Sequence, residues 1–212
     1  MEYKKVVLVI VDISGYTQFI RAQKMSAIHA EEIVFELIEA VIDHAAYPLT
    51  LNKLEGDAAF LYAEVNPDNQ VEVARDVTRQ SWDFFKVFYE RTHTLSIERA
   101  DCDCDACQRI FDLKLKAILH FGEAVFKKIR QFEELAGEDV ILIHQLLKNS
   151  VPSHEYVLMT ESFHQLVGDF DDLPSETRLE TCDYLGEVTV HVSYPRKKDQ
   201  TEPDPPIYFQ FF

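Results

Sequence analysis

The sequence predicts an α+β fold, in which helices pack on one face of a mostly antiparallel sheet. The hydrophobic patterns follow the order strand, helix, hairpin, helix, hairpin, helix and short terminal strands, which is neither strict strand–helix alternation nor an all-β pattern. The long helical segments are amphipathic, with apolar residues at i, i+3 and i+4. No internal repeat or low-complexity linker interrupts the 212 residues, so we expect one domain spanning residues 1–212.

The first half of the chain begins with a strand, a helix and a hairpin. Residues 6–11 form an unbroken run of β-branched and leucine residues, which is typical of a buried strand. From Ser26, a candidate N-cap, apolar residues recur at helical spacing until Pro48 ends the pattern. Two short strands, 49–54 and 57–63, follow as a tight hairpin.

The middle of the chain combines a second helix with a second hairpin. Pro67 opens a helix with an aromatic-rich apolar side, and a polar, cysteine-bearing loop insertion follows at about residues 92–110. Residues 113–120 alternate between apolar and polar side chains, which predicts a half-exposed strand. Gly122 is expected to turn this strand into a second one at 123–129.

The last third is built from shorter elements. A third helix is predicted at 139–147, and a short strand at 156–159 precedes a brief helix that the Thr160 side chain is expected to cap. The acidic segment 168–180 is expected to be a loop. The final strands are predicted at residues 188–192 and 207–211, with a proline-rich connection between them.

Charge and hydropathy exclude several classes of function. The chain has 21 basic and 37 acidic residues and a formal net charge of −16, so nucleic acid and anionic membranes are poor partners. A nucleotide would also be repelled unless metal ions or local lysines cancelled the charge. The apolar run at 6–11 is too short for a signal peptide, and no stretch reaches the ~20 apolar residues that cross a bilayer, so a cytoplasmic location is expected.

Two aspartates stand at strand ends. Asp12 closes the first predicted strand, and Asp57 follows Gly56 at the start of another. A carboxylate at the end of a buried strand is costly unless it is paired or binds a cation. Two such carboxylates on neighbouring strands are suited to Mg²⁺ or Mn²⁺, which prefer oxygen ligands. The alternative is that Asp12 caps the following turn and Asp57 serves the hairpin.

Four segments in the same order resemble the motifs of class III adenylyl and guanylyl cyclases. Residues 11–17 (VDISGYT) are similar to the first metal motif and 53–57 (KLEGD) to the second. Residues 120–125 (HFGEAV) resemble the His-x-Gly-Glu hairpin, and 137–140 (GEDV) the segment that opens the nucleotide-facing helix. The resemblance implies a ferredoxin-like nucleotide cyclase catalytic-domain fold.

A closer resemblance is to the uncharacterised bacterial DUF2652 group within this superfamily. It is carried by residues 53–58 (KLEGDA), by the cysteine cluster at 102–107, and by Val140-Ile141 followed by His144 and the sequence LLKN. This group brings no established activity with it.

The cyclase resemblance implies roles for five residues. Asp12 and Asp57 would hold two divalent cations, with the backbone carbonyl of Ile13 as a further ligand. Lys53 would contact a purine base, and Glu134 lies near the other base-selecting position. In cyclases, such metals activate the ribose 3′-hydroxyl and neutralise the triphosphate.

The pattern departs from active cyclases on the third helix. The positions of the Asn and Arg that orient the ribose and stabilise the transferring phosphoryl group are Ile141 and Gln145. A cationic clamp of this kind is worth ~10³-fold or more in rate, so ordinary turnover should be weak or absent. Lys148 and His144 lie on the same helical face and are candidate substitutes. The alternative is that Lys148 is a favourable charge near the helix C-terminus and that His144 is a partly buried packing residue. Because these cyclases are dimers with composite sites, a homodimer or heterodimer is expected, and a heteromeric partner is another source of the Arg.

Cys102, Cys104 and Cys107 form a C-x-C-x-x-C sequence. Its spacing suits thiolates on one tetrahedral metal such as Zn²⁺, for which Cys182 and His93 are candidate fourth ligands, along with a symmetry mate or water. The alternatives are a reversible disulfide and three thiols without a role. The interleaved aspartates should raise the thiol pKa values, which argues against a reactive thiolate.

The remaining features are expected to be structural. Several histidines show no ligand spacing with each other: His29, His44, His154, His164 and His191. Asp169, Asp171 and Asp172 are expected in a solvated loop, and residues 209–212 in edge-strand or dimer packing. The sequence thus favours a divergent cyclase-like domain with a signalling or regulatory role. The alternative is a non-enzymatic dimeric module with a structural zinc site.

Overall fold

The computed structural model describes residues 2–20, 27–169 and 174–195. Its strands are β1 (Glu2–Ser14), β2 (Thr50–Glu55), β3 (Ala58–Glu64), β4 (Lys114–Ile129), β5 (Phe132–Ala136), β6 (Tyr156–Thr160), β7 (Glu176–Cys182) and β8 (Gly186–Ser193). Its helices are α1 (Tyr16–Ile20), α2 (Ala27–His44), α3 (Gln70–Glu98), α4 (Asp105–Gln108), α5 (Glu138–Gln145) and α6 (Glu161–Val167), with short 3₁₀ helices at Ile110–Asp112 and Leu146–Lys148.

All eight strands belong to one sheet. Its order is β2-β3-β1-β4-β6-β8-β7, and β5 pairs with β4 beside this path. Among the strands of the described residues, the pairing of β4 with β6 is parallel and the others are antiparallel. The α+β class and the mostly antiparallel sheet are therefore confirmed.

Helices cover both faces of this sheet, which corrects the prediction that they lie on one face. Val7, Val9 and Val11 of β1 pack toward α2 and α3, whereas the alternate residues, among them Leu8 and Ile10, pack with the buried side of α5. Because side chains alternate along a strand, a strand covered on both faces is apolar throughout, as residues 6–11 are.

The second predicted hairpin has a different turn. β4 runs through Gly122 without interruption, and Gly122 pairs with Val6 inside the strand. The chain instead reverses after β4 at Arg130, which has φ 59, and β5 returns from there. Gly122 is needed because no space is left for a side chain, and not because the chain turns there.

Two predicted loops contain regular structure. Helix α3 continues to Glu98, so the segment that carries the cysteines is shorter than predicted and itself contains α4 and a 3₁₀ helix. β7 forms inside the acidic segment 168–180, where it pairs with β8. Ser26, Asp171, Asp172 and the predicted strand at 207–211, including the aromatic residues at 209–212, lie outside the described residues.

No helix in the described part of the chain combines the length and apolar character that crossing a bilayer requires.

Candidate functional site

The fold brings the two strand-end aspartates together. Asp12 lies near the end of β1, opposite Ala58 of β3. The N–H of the next residue, Ile13, donates to the carbonyl oxygen of Asp57 at 3.1 Å. Burial, and then the negative charge of Asp12, raise the pKa of Asp57 to about 6. The two carboxylates therefore sense each other's charge across neighbouring strands, as expected for a cation site.

An open depression of about 380 Å³ contains this acid pair. Its wall includes residues 14–18, where β1 passes through Gly15 into α1, and Lys116, Lys148 and His154. The ammonium nitrogen of Lys116 lies 3.0 Å from Asp12 Oδ2, and both side chains are 16% exposed. The depression thus offers carboxylate ligands beside cationic groups that suit a phosphate.

The loop after β1 is shaped by Gly15. Its φ of +93° favours glycine, and a Cβ there would meet the carbonyl oxygen of Asp112 at 3.4 Å. The Gly15 carbonyl accepts the N–H of Phe19 at 3.0 Å and so starts α1. The hydroxyl of Tyr16 then donates to the carboxylate of Glu31, which ties the loop to α2.

The exposed face of α5 borders a second depression of about 550 Å³. Ile141 projects into it with 54% of its surface exposed, and the Gln145 side-chain amide donates to the carbonyl oxygen of Asp183 at 3.1 Å. Neither residue supplies a cation. Lys148 is exposed and lines both depressions, so it is the lysine at their junction.

His144 is a half-buried residue of α5 that lines the second depression and is held by its neighbours. Its Nδ1 lies 2.6 Å from the Val140 carbonyl oxygen, its Nε2 lies 3.0 Å from a Glu55 carboxylate oxygen, and its ring contacts Phe60 edge-on. These contacts hold the His144 ring in place at the second depression, whereas Lys148 lines both depressions.

The proposed base-contacting residues lie apart from the acid pair. Lys53 pairs with Glu55 at 3.1 Å and is 42% exposed on β2, while Glu134 lies opposite Lys127 on the β4–β5 hairpin. A hydrogen bond joins β2 to β5: the side-chain amide of Asn52 donates to the Glu133 carbonyl oxygen. Neither Lys53 nor Glu134 is among the described residues that line the two depressions.

The His-x-Gly-Glu segment fixes the start of α5. His120 is buried, its Nε2 lies 3.0 Å from Asp139 Oδ1, and the other Asp139 oxygen accepts the Glu123 N–H at 2.6 Å. These contacts lower the pKa of Asp139 against the opposing effect of burial. A Cβ on Gly122 would come within 2.2 Å of that carboxylate, so only glycine fits. Thr160, expected as a helix cap, bonds His120 through its hydroxyl instead.

A second cluster collects the three neighbouring cysteines around a histidine. His29 Nδ1 lies 3.4 Å from Cys102 Sγ, 3.5 Å from Cys104 Sγ and 3.6 Å from Cys107 Sγ. All four potential ligand atoms fall within 4.8 Å of one another, so this His/Cys group is able to hold a metal ion.

His29 corrects two expectations. We expected it to be structural, and we named Cys182 and His93 as fourth ligands; neither belongs to the described cluster. Cys182 is buried at the end of β7, and His93 lies on the exposed side of α3. Only the fold, which lays α2 across the cysteine segment, reveals His29.

The thiols of this cluster differ in acidity. The backbone N–H of Cys104 and the neighbouring thiols donate hydrogen bonds that lower the pKa of Cys102 to about 7. Burial raises the pKa of Cys107 to about 12. The expectation that the interleaved aspartates would raise every thiol pKa is therefore wrong for Cys102.

Comparison with known proteins identifies relatives in sequence and in structure. The uncharacterized protein Rv2561/Rv2562 of Mycobacterium tuberculosis is 35% identical over 156 residues, which is 74% of this chain and 70% of that protein. The adenylyl cyclase CyaB from P. aeruginosa has a similar structure, with a TM-score of 0.72, 14% identity, and 93% of this chain and 97% of that chain covered. The guanylate cyclase domain of RhGC from Catenaria anguillulae, solved in complex with GTP, has a TM-score of 0.61, 13% identity and coverage of 93% and 100%.

At these identities the two structures establish a nucleotide cyclase-like fold. The family model for DUF2652, described as a protein of unknown function, matches residues 34–156, which is more than half of the chain. The chain therefore belongs to the DUF2652 family.

Proposed function

We propose that this protein is one cyclase-like domain that binds a divalent cation and a purine nucleotide, turns over weakly or not at all, and serves a signalling or regulatory role. The observation that carries the proposal is the convergence of Asp12 and Asp57 in an open depression that two lysines also line. Its compartment is the cytoplasm, where the four free cysteines of the described chain would stay reduced.

The donor set at the acid pair fits Mg²⁺ or Mn²⁺. Two adjacent carboxylates repel each other, and the raised pKa of Asp57 reflects burial together with that repulsion. A cation removes the repulsion, and these ions prefer oxygen ligands, often completing their shell with phosphates. Asp12, Asp57 and the carbonyl of Ile13 would hold it. When bound, the ion supplies charge neutralisation for a triphosphate and activation of a hydroxyl.

Two lysines would receive the phosphates of the nucleotide. With a net charge of −16, this chain attracts an anion only where local cations dominate. Lys116 and Lys148 line the depression around the acid pair, and Lys148 also reaches the second depression along α5. A nucleotide extending from one depression into the other would pass this lysine. The complex of one structural relative with GTP supports a purine nucleotide.

Weak turnover follows from the face of α5. The Gln145 amide is uncharged and already bonded to the Asp183 carbonyl oxygen, and Ile141 has no polar atom on its side chain. Among the α5 and 3₁₀ residues that line the second depression, Lys148 would therefore supply the one positive charge next to a transferring phosphoryl group. Loss of a fixed cationic clamp costs ~10³-fold or more in rate.

A dimer would complete the site. Lys53 and Glu134 lie on neighbouring hairpins away from the acid pair, so their contact with a base requires a second chain that brings its hairpins to this depression. The same hairpins expose apolar side chains on their surface: Leu54 is 50% exposed, Ile129 49% and Phe132 60%. Apolar side chains exposed together favour an interface between chains.

Calorimetric titration tests the proposal. A non-hydrolysable GTP or ATP analogue should bind the wild-type chain in the presence of Mn²⁺, and Asp57→Ala should abolish the binding. The matched control is Asp68→Asn, an exposed aspartate in the loop beyond the far end of β3, which should bind as the wild type does. Absence of binding by every purine nucleotide tested would remove the proposal.

The second candidate is a non-enzymatic dimeric module that keeps the fold as a scaffold. It is favoured by the ion pair between Lys116 and Asp12, which neutralises one carboxylate without a metal ion. This candidate predicts a dimer in sedimentation equilibrium whose mass and stability ignore nucleotides and Mn²⁺. Stabilisation by Mn²⁺ with nucleotide would contradict it.

A further inference from the structure

We propose that His29, Cys102, Cys104 and Cys107 bind one Zn²⁺ ion in a closed tetrahedral site. The site is separate from the acid pair, and the inference does not depend on the proposed nucleotide binding. Three thiol sulfurs and one imidazole nitrogen are a donor set of structural zinc sites.

The spacing of the ligand atoms matches a tetrahedron around zinc. With Zn–S near 2.3 Å and Zn–N near 2.05 Å, tetrahedral angles place the nitrogen about 3.6 Å from each sulfur. The three distances from His29 Nδ1 to the cysteine sulfurs are 3.4, 3.5 and 3.6 Å. The nitrogen therefore lies nearly equidistant from all three sulfurs, at the distances that a shared zinc ion would set.

The chain holds the sulfurs in place with local hydrogen bonds. The N–H of Cys107 donates to the sulfur of Cys104 at 3.5 Å across the turn that begins α4. The side-chain amide of Gln108 donates to the Cys102 carbonyl oxygen at 2.9 Å and closes the segment on its other side. Hydrogen bonds of this kind around a ligand orient it and tune a metal site.

Zinc would fasten together two segments distant in sequence. His29 lies in the first turn of α2, 73 residues before Cys102. The cysteine segment continues into the 3₁₀ helix that ends at Asp112, beside Gly15, while α2 contributes Glu31 to the hydroxyl of Tyr16. Both neighbours of the loop after β1 are thus anchored at one ion.

The role of this ion is structural. Four protein ligands leave no open coordination position for a substrate or an activated water. As three Zn–S bonds form, the thiol protons leave to solvent and no electron is transferred. Binding energy at such a site adds to the folding energy of the segments that it joins. A disulfide between two of the thiols would remove two ligands and exclude zinc, so the two states can be told apart.

The experiment measures metal in the full chain, purified under reducing conditions and supplied with Zn²⁺ alone. We expect about one zinc per chain after gel filtration. Exchange with Co²⁺ should give thiolate-to-cobalt charge transfer in the near ultraviolet and the intense visible bands of a tetrahedral site. Both readouts use the wild-type chain, so they do not depend on a variant that folds. Substoichiometric zinc together with no cobalt spectrum would overturn the proposal.

Matched variants assign the ligands. Cys104→Ser should abolish the cobalt spectrum, and His29→Asn should weaken zinc binding by about tenfold or more in chelator competition. The controls are Cys182→Ser and His93→Asn, which change the same residue types outside the cluster and should keep both the spectrum and the affinity. Equal losses in the controls and in the ligand variants would contradict the assignment.

Discussion

Replacing Asp57 by asparagine should make the cation-free protein more stable and abolish its response to Mn²⁺. Burial and the charge of Asp12 raise the pKa of Asp57 from the usual 3.8 to about 6. A carboxyl group with a raised native pKa favours the folded state when protonated and opposes it when ionised. At neutral pH the ionised Asp57 therefore lowers the free energy of unfolding, unless a cation is bound.

The magnitude follows from the two pKa values. A rise from 3.8 to about 6 corresponds to about 3 kcal/mol at ~1.36 kcal/mol per pKa unit. Because Asp57 is only partly buried and water screens its charge, we expect about half of this, on the order of 1.5 kcal/mol, in Asp57→Asn at pH 7.5. In a domain of this size that is a rise of roughly 3–6 °C in Tm.

The pH dependence has a definite sign. The penalty is absent below about pH 4, grows between about pH 4 and pH 6, and is complete above that window. The difference between Asp57→Asn and the wild type should therefore shrink to a few tenths of a kcal/mol, about 0.3, at pH 4.0.

Urea unfolding followed by circular dichroism at the two pH values measures this difference. Thermal unfolding with and without Mn²⁺ then separates the variants. A ligand that binds only the native state stabilises it by mass action, and this stabilisation is about 2.7 kcal/mol when the ligand concentration is a hundred times Kd. The wild type and the control Asp68→Asn should gain stability, and Asp57→Asn should not. If Asp57→Asn proved less stable than the wild type at pH 7.5, the carboxylate would have net favourable contacts and the reasoning would be refuted.

Three further predictions concern the neighbouring elements. Gly122→Ala should cost about 3 kcal/mol in urea unfolding, because its Cβ would lie 2.2 Å from an oxygen of the Asp139 carboxylate. Gly186→Ala, with φ +80 and open space, should cost about 1 kcal/mol, and equal costs would contradict the steric argument. The double variant Ile141→Asn/Gln145→Arg restores the polar and cationic groups of the family pattern, so it should raise Mn²⁺-dependent formation of cyclic nucleotide by about tenfold or more, measured by chromatography. An unchanged rate would contradict this explanation of weak turnover. Lys148→Ala should weaken nucleotide binding in calorimetry about tenfold and reduce its salt dependence, whereas an unchanged affinity would show that the phosphates bind elsewhere.

The acid pair was predictable because both strand ends that carry it can be read from the sequence. A hydrophobic strand that ends in Asp12 and a hairpin that starts with Asp57 are visible in the sequence, and the antiparallel neighbours β1 and β3 bring such strand ends together. The order of four short motifs predicted the fold through their resemblance to class III cyclases. The roles of Lys53 and Glu134 stay predictions, because they depend on a second chain.

The errors have physical causes that the sequence does not display. A helical pattern shows which side of α5 is buried but not which face of the sheet receives it. Gly122 resembles a turn glycine, yet it is required by the Asp139 carboxylate packed above it. His29 lies 73 residues from the first cysteine, so no local spacing connects them. A signal was nevertheless present, since a C-x-C-x-x-C sequence supplies three ligands and leaves a fourth to be found elsewhere in the chain.

The most direct test of the cation site is a crystal grown with Mn²⁺ and a non-hydrolysable GTP analogue, with data collected for the anomalous scattering of manganese. The account predicts an anomalous peak within about 2.3 Å of carboxylate oxygens from both Asp12 and Asp57, with nucleotide phosphates next to it. Density for Lys116 still paired with Asp12, and no manganese peak between the two aspartates, would contradict it.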